Sequence, residues 1–252
     1  MEPKRLQAKQ GLQWIKKGYA LFIKAPLLWI VLLVICFVGG GALSAVPFIG
    51  EPLVSLLMPV MVIGLMAGCR SLEQGDELEL AHLFIGFAHY PSRLIALGGI
   101  TLVGQYLIYG AMILSGGATL VDILMNNQAP TAPDMIQQAV AGAGASLMIG
   151  VLLFSLLMMS MQFAPMLVFF RSVPPIHAMK LSLHAFTRNM GAMLVYGLIF
   201  MSLALVASIP MMLGWLVLLP MMFTSLYASF CDIFPAELTP DTGIRRDDRE
   251  QA

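Results

Sequence analysis

Six long apolar runs constrain the fold of this chain more than any other feature of its sequence. Each is close to the roughly 20 residues that an α-helix needs to cross the hydrocarbon core of a bilayer. They cover approximately residues 25–46, 52–69, 94–120, 146–170, 191–209 and 213–231. With 59% hydrophobic and only 11% charged residues, the chain has more apolar surface than a soluble core would bury. We therefore predict an all-α membrane protein with six transmembrane helices.

The distribution of basic residues predicts the orientation of these spans. All 14 Lys and Arg residues lie in the N-terminal segment, in the loops after the second and fourth spans, or in the C-terminal tail. The opposite side carries only the acids Glu51, Asp122 and Asp134. Because Lys and Arg in short loops stay in the cytoplasm, we predict that both termini are cytoplasmic. We expect one membrane domain over residues 1–235 and a disordered cytoplasmic tail over 236–252.

An internal repeat groups the six spans into three hairpins. The units cover about 8–70, 76–171 and 174–234, and each begins with a segment whose apolar residues recur at helical spacing. These residues are Leu12, Ile15, Tyr19 and Phe22 in the first unit, Leu80, Phe84 and Phe87 in the second, and Ile176, Met179, Leu183 and Phe186 in the third. We expect each segment to form an amphipathic helix lying flat at the cytoplasmic surface. The alternative is that each segment is the cytoplasmic start of a long span.

Cations near these segments are candidates for contact with lipid headgroups or the cytoplasm. They are Lys16, Lys17, Lys24, Arg93, Lys180 and Arg188. Asp232, at the inner end of the last run, is expected to be a solvated end group. The lipid bilayer is the predicted partner, and a protein partner would bind at the cytoplasmic face. The zero net charge predicts no nucleic-acid partner.

Two glutamines at similar depths are the most polar residues inside the apolar runs. Gln105 follows Arg93 by about 18 Å along a helix and Gln162 precedes Arg171 by about 13 Å, at 1.5 Å per residue. A hydrogen bond between their spans would satisfy both amides. Tyr106, Tyr109 and Ser160 lie close to them in sequence. The group indicates an interhelical contact or a polar substrate pocket.

No sequence motif indicates catalysis. The chain has none of the zinc-hydrolase, nucleophile-elbow, phosphate-loop or dinucleotide motifs, and the six runs contain no ionisable residue at mid-membrane depth. The histidines are His82, His89, His177 and His184, and each pair is spaced by seven residues, too far for one helix to present both to one metal. We expect no catalytic residue, metal site or cofactor. Cys36, Cys69 and Cys231 are expected to be apolar packing residues.

Three segments resemble an uncharacterised family of proteobacterial inner-membrane proteins. They are residues 90–98 (YPSRLIALG), residues 166–170 (MLVFF) and residues 178–189 running into the fifth span. The resemblance covers nearly the whole chain and implies a multi-pass protein of the bacterial inner membrane. It implies no catalytic residue and no ligand.

These features favour a non-enzymatic protein that organises a partner complex or handles envelope lipid. The alternative is a transporter or channel for a small neutral or apolar solute, with Gln105, Gln162 and the neighbouring tyrosines along its path. A third hypothesis is a membrane enzyme that uses the histidines and acidic residues of the cytoplasmic side.

Overall fold

The computed structural model describes residues 2–126 and 133–235. Within these residues the chain forms helices and no strand, which confirms the predicted all-α class. The predicted tail, 236–252, lies outside the described residues. The helices are α1 Gln10–Phe22, α2 Pro26–Ser44, α3 Gly50–Gln74, a 3-10 helix Leu80–Phe84, α4 Ile85–Ala88, α5 Pro91–Leu114, α6 Ala118–Asn126, α7 Pro133–Met161, α8 Ala164–Arg171, α9 Pro175–Arg188, α10 Met190–Ser208 and α11 Trp215–Ile233.

Six segments among the described residues are long and apolar enough to cross a membrane, as predicted. Five of them are α2, α3, α5, α10 and α11, and the other runs from Gly144 to Arg171 through α7 and α8. The third span ends at Leu114, earlier than predicted, because Gly116 has a left-handed backbone with φ of 92°. Glycine adopts that conformation without a Cβ clash. The helix α7 extends from Pro133 to Met161, so it begins before the apolar part of the fourth span.

The fourth span is interrupted between α7 and α8, where a serine from α9 completes the hydrogen bonding. Pro165 cannot donate a backbone hydrogen bond, and its ring disfavours a continuous helix. The hydroxyl of Ser182 donates to the carbonyl oxygen of Met159 at 2.9 Å and accepts the backbone N–H of Phe163 at 3.0 Å. It therefore replaces a direct backbone bond across the interruption. Pro59 and Pro220, in contrast, lie inside the continuous helices α3 and α11.

Replacing Ser182 by alanine should destabilise the fold by about 1–3 kcal/mol, because it leaves the buried N–H of Phe163 without an acceptor. Thermal unfolding of the purified protein in detergent measures this effect. Ser202→Ala is the matched control, since Ser202 is exposed and its hydroxyl donates only to the carbonyl of Leu198 in its own helix. Equal melting temperatures for the two variants would contradict the bridging role of Ser182.

The helices that precede the three pairs of spans follow one packing rule. The 3-10 helix and α4 pack on α3, and α9 packs on α7 and α8. The first helix, α1, makes its most extensive contacts with α11 at the other end of the chain. The second and third of these segments therefore pack mainly on the span that precedes them in the chain, and α1 packs on α11, the last span that the structure describes.

Matching positions of the three segments make close contacts in this packing. Gly18 lies against Ser225, since a Cβ on Gly18 would stand 2.6 Å from the Cβ of that serine. Leu83 covers Gly64, where an added Cβ would stand 2.7 Å from the Cα of Leu83. Ser182 is the residue that bridges α7 and α8. Each of the three directly precedes an apolar residue that the sequence pattern selects.

The buried faces of these segments differ from the predicted apolar stripes. In the second segment Leu83 is 1% exposed, whereas Leu80, Phe84 and Phe87 are 46%, 64% and 41% exposed. The other two stripes are divided. Ile15 and Phe22 are buried but Leu12 and Tyr19 are exposed, and α9 buries Ala178, Ser182 and Ala185 while Ile176 is exposed. Part of each of these two stripes therefore packs on a span and part lies on the outer surface.

Candidate functional site

The N-terminal segment and the loops that carry the basic residues meet at one end of the helix bundle. Buried Asn189 joins two of them: its side-chain oxygen accepts the N–H of Leu6 at 2.8 Å, and its amide donates to the carbonyls of Lys4 and Ala185. Further bonds at this end run from Lys4 N–H to the Ile233 carbonyl, from Arg93 to the Ser172 carbonyl and from Arg171 to the Phe234 carbonyl. We call this face the basic end.

Asp232 is the principal polar contact between the first and last helices of the chain. Its carboxylate accepts hydrogen bonds from Gln10 at 2.8 Å, from the Trp14 indole at 3.0 Å and from Lys17 at 2.7 Å. The Asp232 side chain is only 19% exposed. It is therefore not the solvated end group expected from the sequence, and Lys17 binds this carboxylate instead of being free for headgroups. Only the packing of α1 on α11 reveals the contact.

Two of the candidate headgroup cations are exposed and have no hydrogen-bond partner among the described residues. These are Lys16 on α1 and Lys180 on α9, which occupy matching positions of their segments. An exposed apolar residue lies one helical turn before each of them, Leu12 before Lys16 and Ile176 before Lys180. Each helix thus presents an apolar residue and a lysine side by side on its outer surface.

The remaining candidate cations make contacts within the protein. Lys24 donates to the carbonyl of Leu72 at 2.6 Å. Arg93 donates to the Ser172 carbonyl and lies over the Tyr90 ring at 5.2 Å from its centroid. Arg188 lies 3.8 Å from Glu2. These three side chains are exposed, so only part of their hydrogen-bonding capacity is used at the basic end.

The polar residues inside the spans bond mainly within their own helices. The amide of Gln105 donates to the hydroxyl of Tyr109 at 2.9 Å, one turn along α5. The hydroxyl of Ser160 donates to the carbonyls of Leu156 and Leu157. Gln162 lies at the interruption between α7 and α8, and its side chain makes no hydrogen bond among the described residues. Tyr106 is 50% exposed. The structure thus differs from the expected bond between Gln105 and Gln162.

The histidines occupy separate positions at the basic end. His82 caps the 3-10 helix by accepting the N–H of Glu79, and His89 packs edge-on against Phe169. His177 and His184 are exposed on α9. No group of three or more His, Cys, Asp or Glu side chains in the described ranges has the proximity to hold a metal ion. Sequence reasoning missed one further contact here, since the hydroxyl of Tyr227 donates to Glu73 at 2.7 Å.

A cleft of about 580 Å³ opens at the basic end beside the first residues of α2. The chain from Lys24 to Leu28 forms one wall, and Leu72 with the loop from Gly75 to Leu78 forms the other. Gly75 ends α3 with a left-handed backbone, φ 89°, which turns the chain and places Asp76 and Glu77 along the cleft. A second groove of about 310 Å³, lined only by apolar residues, lies between α2 and the start of α11.

Comparison with known proteins identifies a relative. The chain is similar to a probable inner membrane protein of Burkholderia thailandensis, with 33% identity over a match of 205 residues that covers 79% of this chain and 75% of the relative. No protein-family model and no solved structure matches the chain.

Proposed function

The chain belongs to the family of the probable inner membrane protein of Burkholderia thailandensis, and from this premise we propose that it is a non-enzymatic protein that binds envelope phospholipid at the cytoplasmic surface. It is a multi-pass protein of the inner membrane, and the six apolar segments among its described residues contact bilayer lipid. The proposal concerns what the basic end of the molecule does at the headgroup layer.

The proposed topology has three hairpins with both termini in the cytoplasm. The Lys and Arg residues support this orientation, because basic residues next to spans stay on the cytoplasmic side. The hydrogen bonds that join the N-terminal segment to the loops at the basic end support it as well. In this orientation α1, α4 and α9 lie at the depth where each pair of spans enters the membrane.

The observation that carries the proposal is the outer surface of α1 and α9. Each helix buries one side against a span and exposes an apolar residue beside an unpaired lysine, Leu12 with Lys16 and Ile176 with Lys180. A lysine at the headgroup layer places its methylene groups along apolar surface and its ammonium among phosphates. Each such lysine contributes about 1 kcal/mol of attraction to an anionic lipid surface. Two matching positions therefore present the same lipid-binding arrangement.

The double variant Lys16→Gln/Lys180→Gln should retain fewer phospholipids than the unmodified protein, because two unpaired ammonium groups are removed. We expect the stabilisation by added anionic phospholipid to fall to about half, measured as a shift in melting temperature in detergent. Native mass spectrometry counts the lipids that remain bound.

The control for this experiment is Lys4→Gln/Lys9→Gln, which removes the same charge from the segment before α1. Unchanged lipid retention in the first variant, or an equal loss in both variants, would reject the proposal.

Transport of a small neutral or apolar solute receives less support. Gln105 and Ser160 direct their polar groups to partners in their own helices, and Tyr106 is half exposed on the outer surface. A role at the headgroup layer accounts for more of the polar surface than a path between these side chains does.

A further inference from the structure

The cleft beside Lys24 combines a cation, two carboxylates and apolar walls in one space. Its volume of about 580 Å³ is within the range of small-molecule sites, roughly 300–1,000 Å³. It lies where the chain leaves α1 and begins the first span, at the depth proposed for lipid headgroups. It is distinct from the outer surfaces of α1 and α9, where Lys16 and Lys180 lie.

The positive side of the cleft is formed by Lys24 and the start of α2. The ammonium of Lys24 donates one hydrogen bond to the carbonyl of Leu72 at 2.6 Å. An ammonium has three donors, so two remain for a ligand. The backbone N–H groups of Leu27 and Leu28, in the first turn of α2, lack carbonyl partners within their helix and add positive potential at the same wall.

The negative side of the cleft is formed by Asp76 and Glu77, which line the opposite wall. Both residues are exposed, and neither carboxylate forms an ion pair among the described residues. Lys24 and these carboxylates share the cleft without neutralising each other by direct contact. The cleft therefore contains a cation and two carboxylates that no direct contact between them neutralises.

The remaining lining is apolar. Leu27 is 75% exposed on the first turn of α2, and Leu72 and Leu78 form a buried floor. An apolar side chain that is exposed beside charged groups at the membrane surface can contact the first carbons of an acyl chain. The cleft can thus hold a headgroup among its charges and the adjoining hydrocarbon along Leu27.

We propose that this cleft binds an aminophospholipid, a lipid whose headgroup carries both a phosphate and a primary ammonium. The phosphate contacts Lys24 and the start of α2, and the ammonium contacts Asp76 and Glu77. A purely anionic headgroup would place uncompensated negative charge near the two carboxylates. A trimethylated ammonium cannot donate hydrogen bonds to them. This inference rests on the proposed lipid-binding function and names the lipid class of one further site.

The test measures the binding of dioleoyl phosphatidylethanolamine, phosphatidylglycerol and phosphatidylcholine to the full-length protein in mild detergent by native mass spectrometry. The binding that depends on Lys24 is the difference between the unmodified protein and Lys24→Gln. We expect this binding to be about tenfold tighter for the ethanolamine lipid than for either of the others, because charge-assisted hydrogen bonds hold both of its charged groups. Asp76→Asn/Glu77→Gln should reduce this preference to less than about twofold by weakening binding of the ethanolamine lipid.

Changes at Lys24 test the phosphate contact. Lys24→Gln should weaken the tight ethanolamine-lipid binding about tenfold, and Lys24→Arg should preserve it. Lys9→Gln, in the segment before α1, should leave the headgroup preference unchanged. Melting temperatures identify any variant that is unfolded. If Lys24→Gln is unfolded, lipid binding by Lys24→Arg is compared with lipid binding by Asp76→Asn/Glu77→Gln.

Two results would overturn the inference: equal Lys24-dependent binding of the three lipids, or a preference that survives Asp76→Asn/Glu77→Gln. Lipid binding without headgroup preference rejects this inference alone. Failure of Lys16→Gln/Lys180→Gln to reduce lipid retention rejects the proposed function instead.

Discussion

Replacing Asp232 by alanine is expected to lower the free energy of unfolding by about 2–3 kcal/mol, because a charged acceptor is removed from several donors at once. The buried Trp14 indole would lose its acceptor, and Gln10 and Lys17 would lose theirs at the same junction of α1 and α11. Asp232→Asn should have a smaller effect, since its amide oxygen still accepts. At this chain length the alanine variant should melt roughly 5–10 °C lower.

The control for this prediction is Glu51→Ala, which removes an exposed acid from the first turn of α3. Its cost should stay below about 1 kcal/mol, the size of a favourable interaction with the start of a helix. Melting in detergent, followed by circular dichroism, compares the three variants with the unmodified protein. If Asp232→Ala had the same melting temperature as Glu51→Ala, the Asp232 carboxylate would not be holding α1 to α11.

Replacing Gly98 by alanine is expected to destabilise the contact between α3 and α5 by about 2 kcal/mol, within the range for overpacking a core. A Cβ on Gly98 would stand 2.6 Å from the Cα of Leu56 and equally close to the carbonyl oxygens of Ser55 and Leu56. These are backbone atoms, so no side chain can rotate away and the two helices must separate. The helix preference of alanine over glycine, about 1 kcal/mol, offsets only part of this cost.

The neighbouring Gly99→Ala variant is a close control. A Cβ there would meet only the end of the Leu56 side chain, at 3.6 Å, which is ordinary contact. Its expected effect is neutral or slightly stabilising, because alanine has the higher helix preference and no steric clash offsets this gain. Equal destabilisation by the two variants, measured by thermal unfolding in detergent, would contradict the close approach of α3 and α5 at Gly98.

The sequence predicted the spans well because a bilayer imposes a simple requirement. A helix needs about 20 apolar residues to cross it, and that requirement is visible as uninterrupted runs without ionisable residues. The limits of the spans were less predictable, as Gly116 shows. A glycine within an apolar run is compatible with a helix, and only its left-handed backbone in the structure shows that α5 has ended.

The faces of the surface segments could not be predicted for a different physical reason. Apolar periodicity identifies which residues avoid water, but an apolar side chain avoids water both in lipid and inside the protein. Leu12 and Ile15 belong to one stripe in the sequence, yet Ile15 packs inside the protein and Leu12 is exposed. Leu83, which the stripe omits, is buried against α3.

The contacts of the candidate site depend on which helices are neighbours in space. Gln10 and Asp232 are separated by 222 positions, and no local pattern connects them. The cleft beside Lys24 likewise joins the start of α2 to the loop after α3. The cations themselves were identifiable from the sequence, but their partners required the packing of the helices.

The packing of α1 on α11 has a consequence for how the molecule is made. The ribosome synthesises α1 before α11, so Asp232, the acceptor of the buried Trp14 indole, is absent until the last described span has been inserted. Contacts of such long sequence separation form late in folding. Assembly can therefore be completed only after α11 has been synthesised, and a chain that stops before α11 leaves part of an apolar helix face uncovered, a feature that favours aggregation.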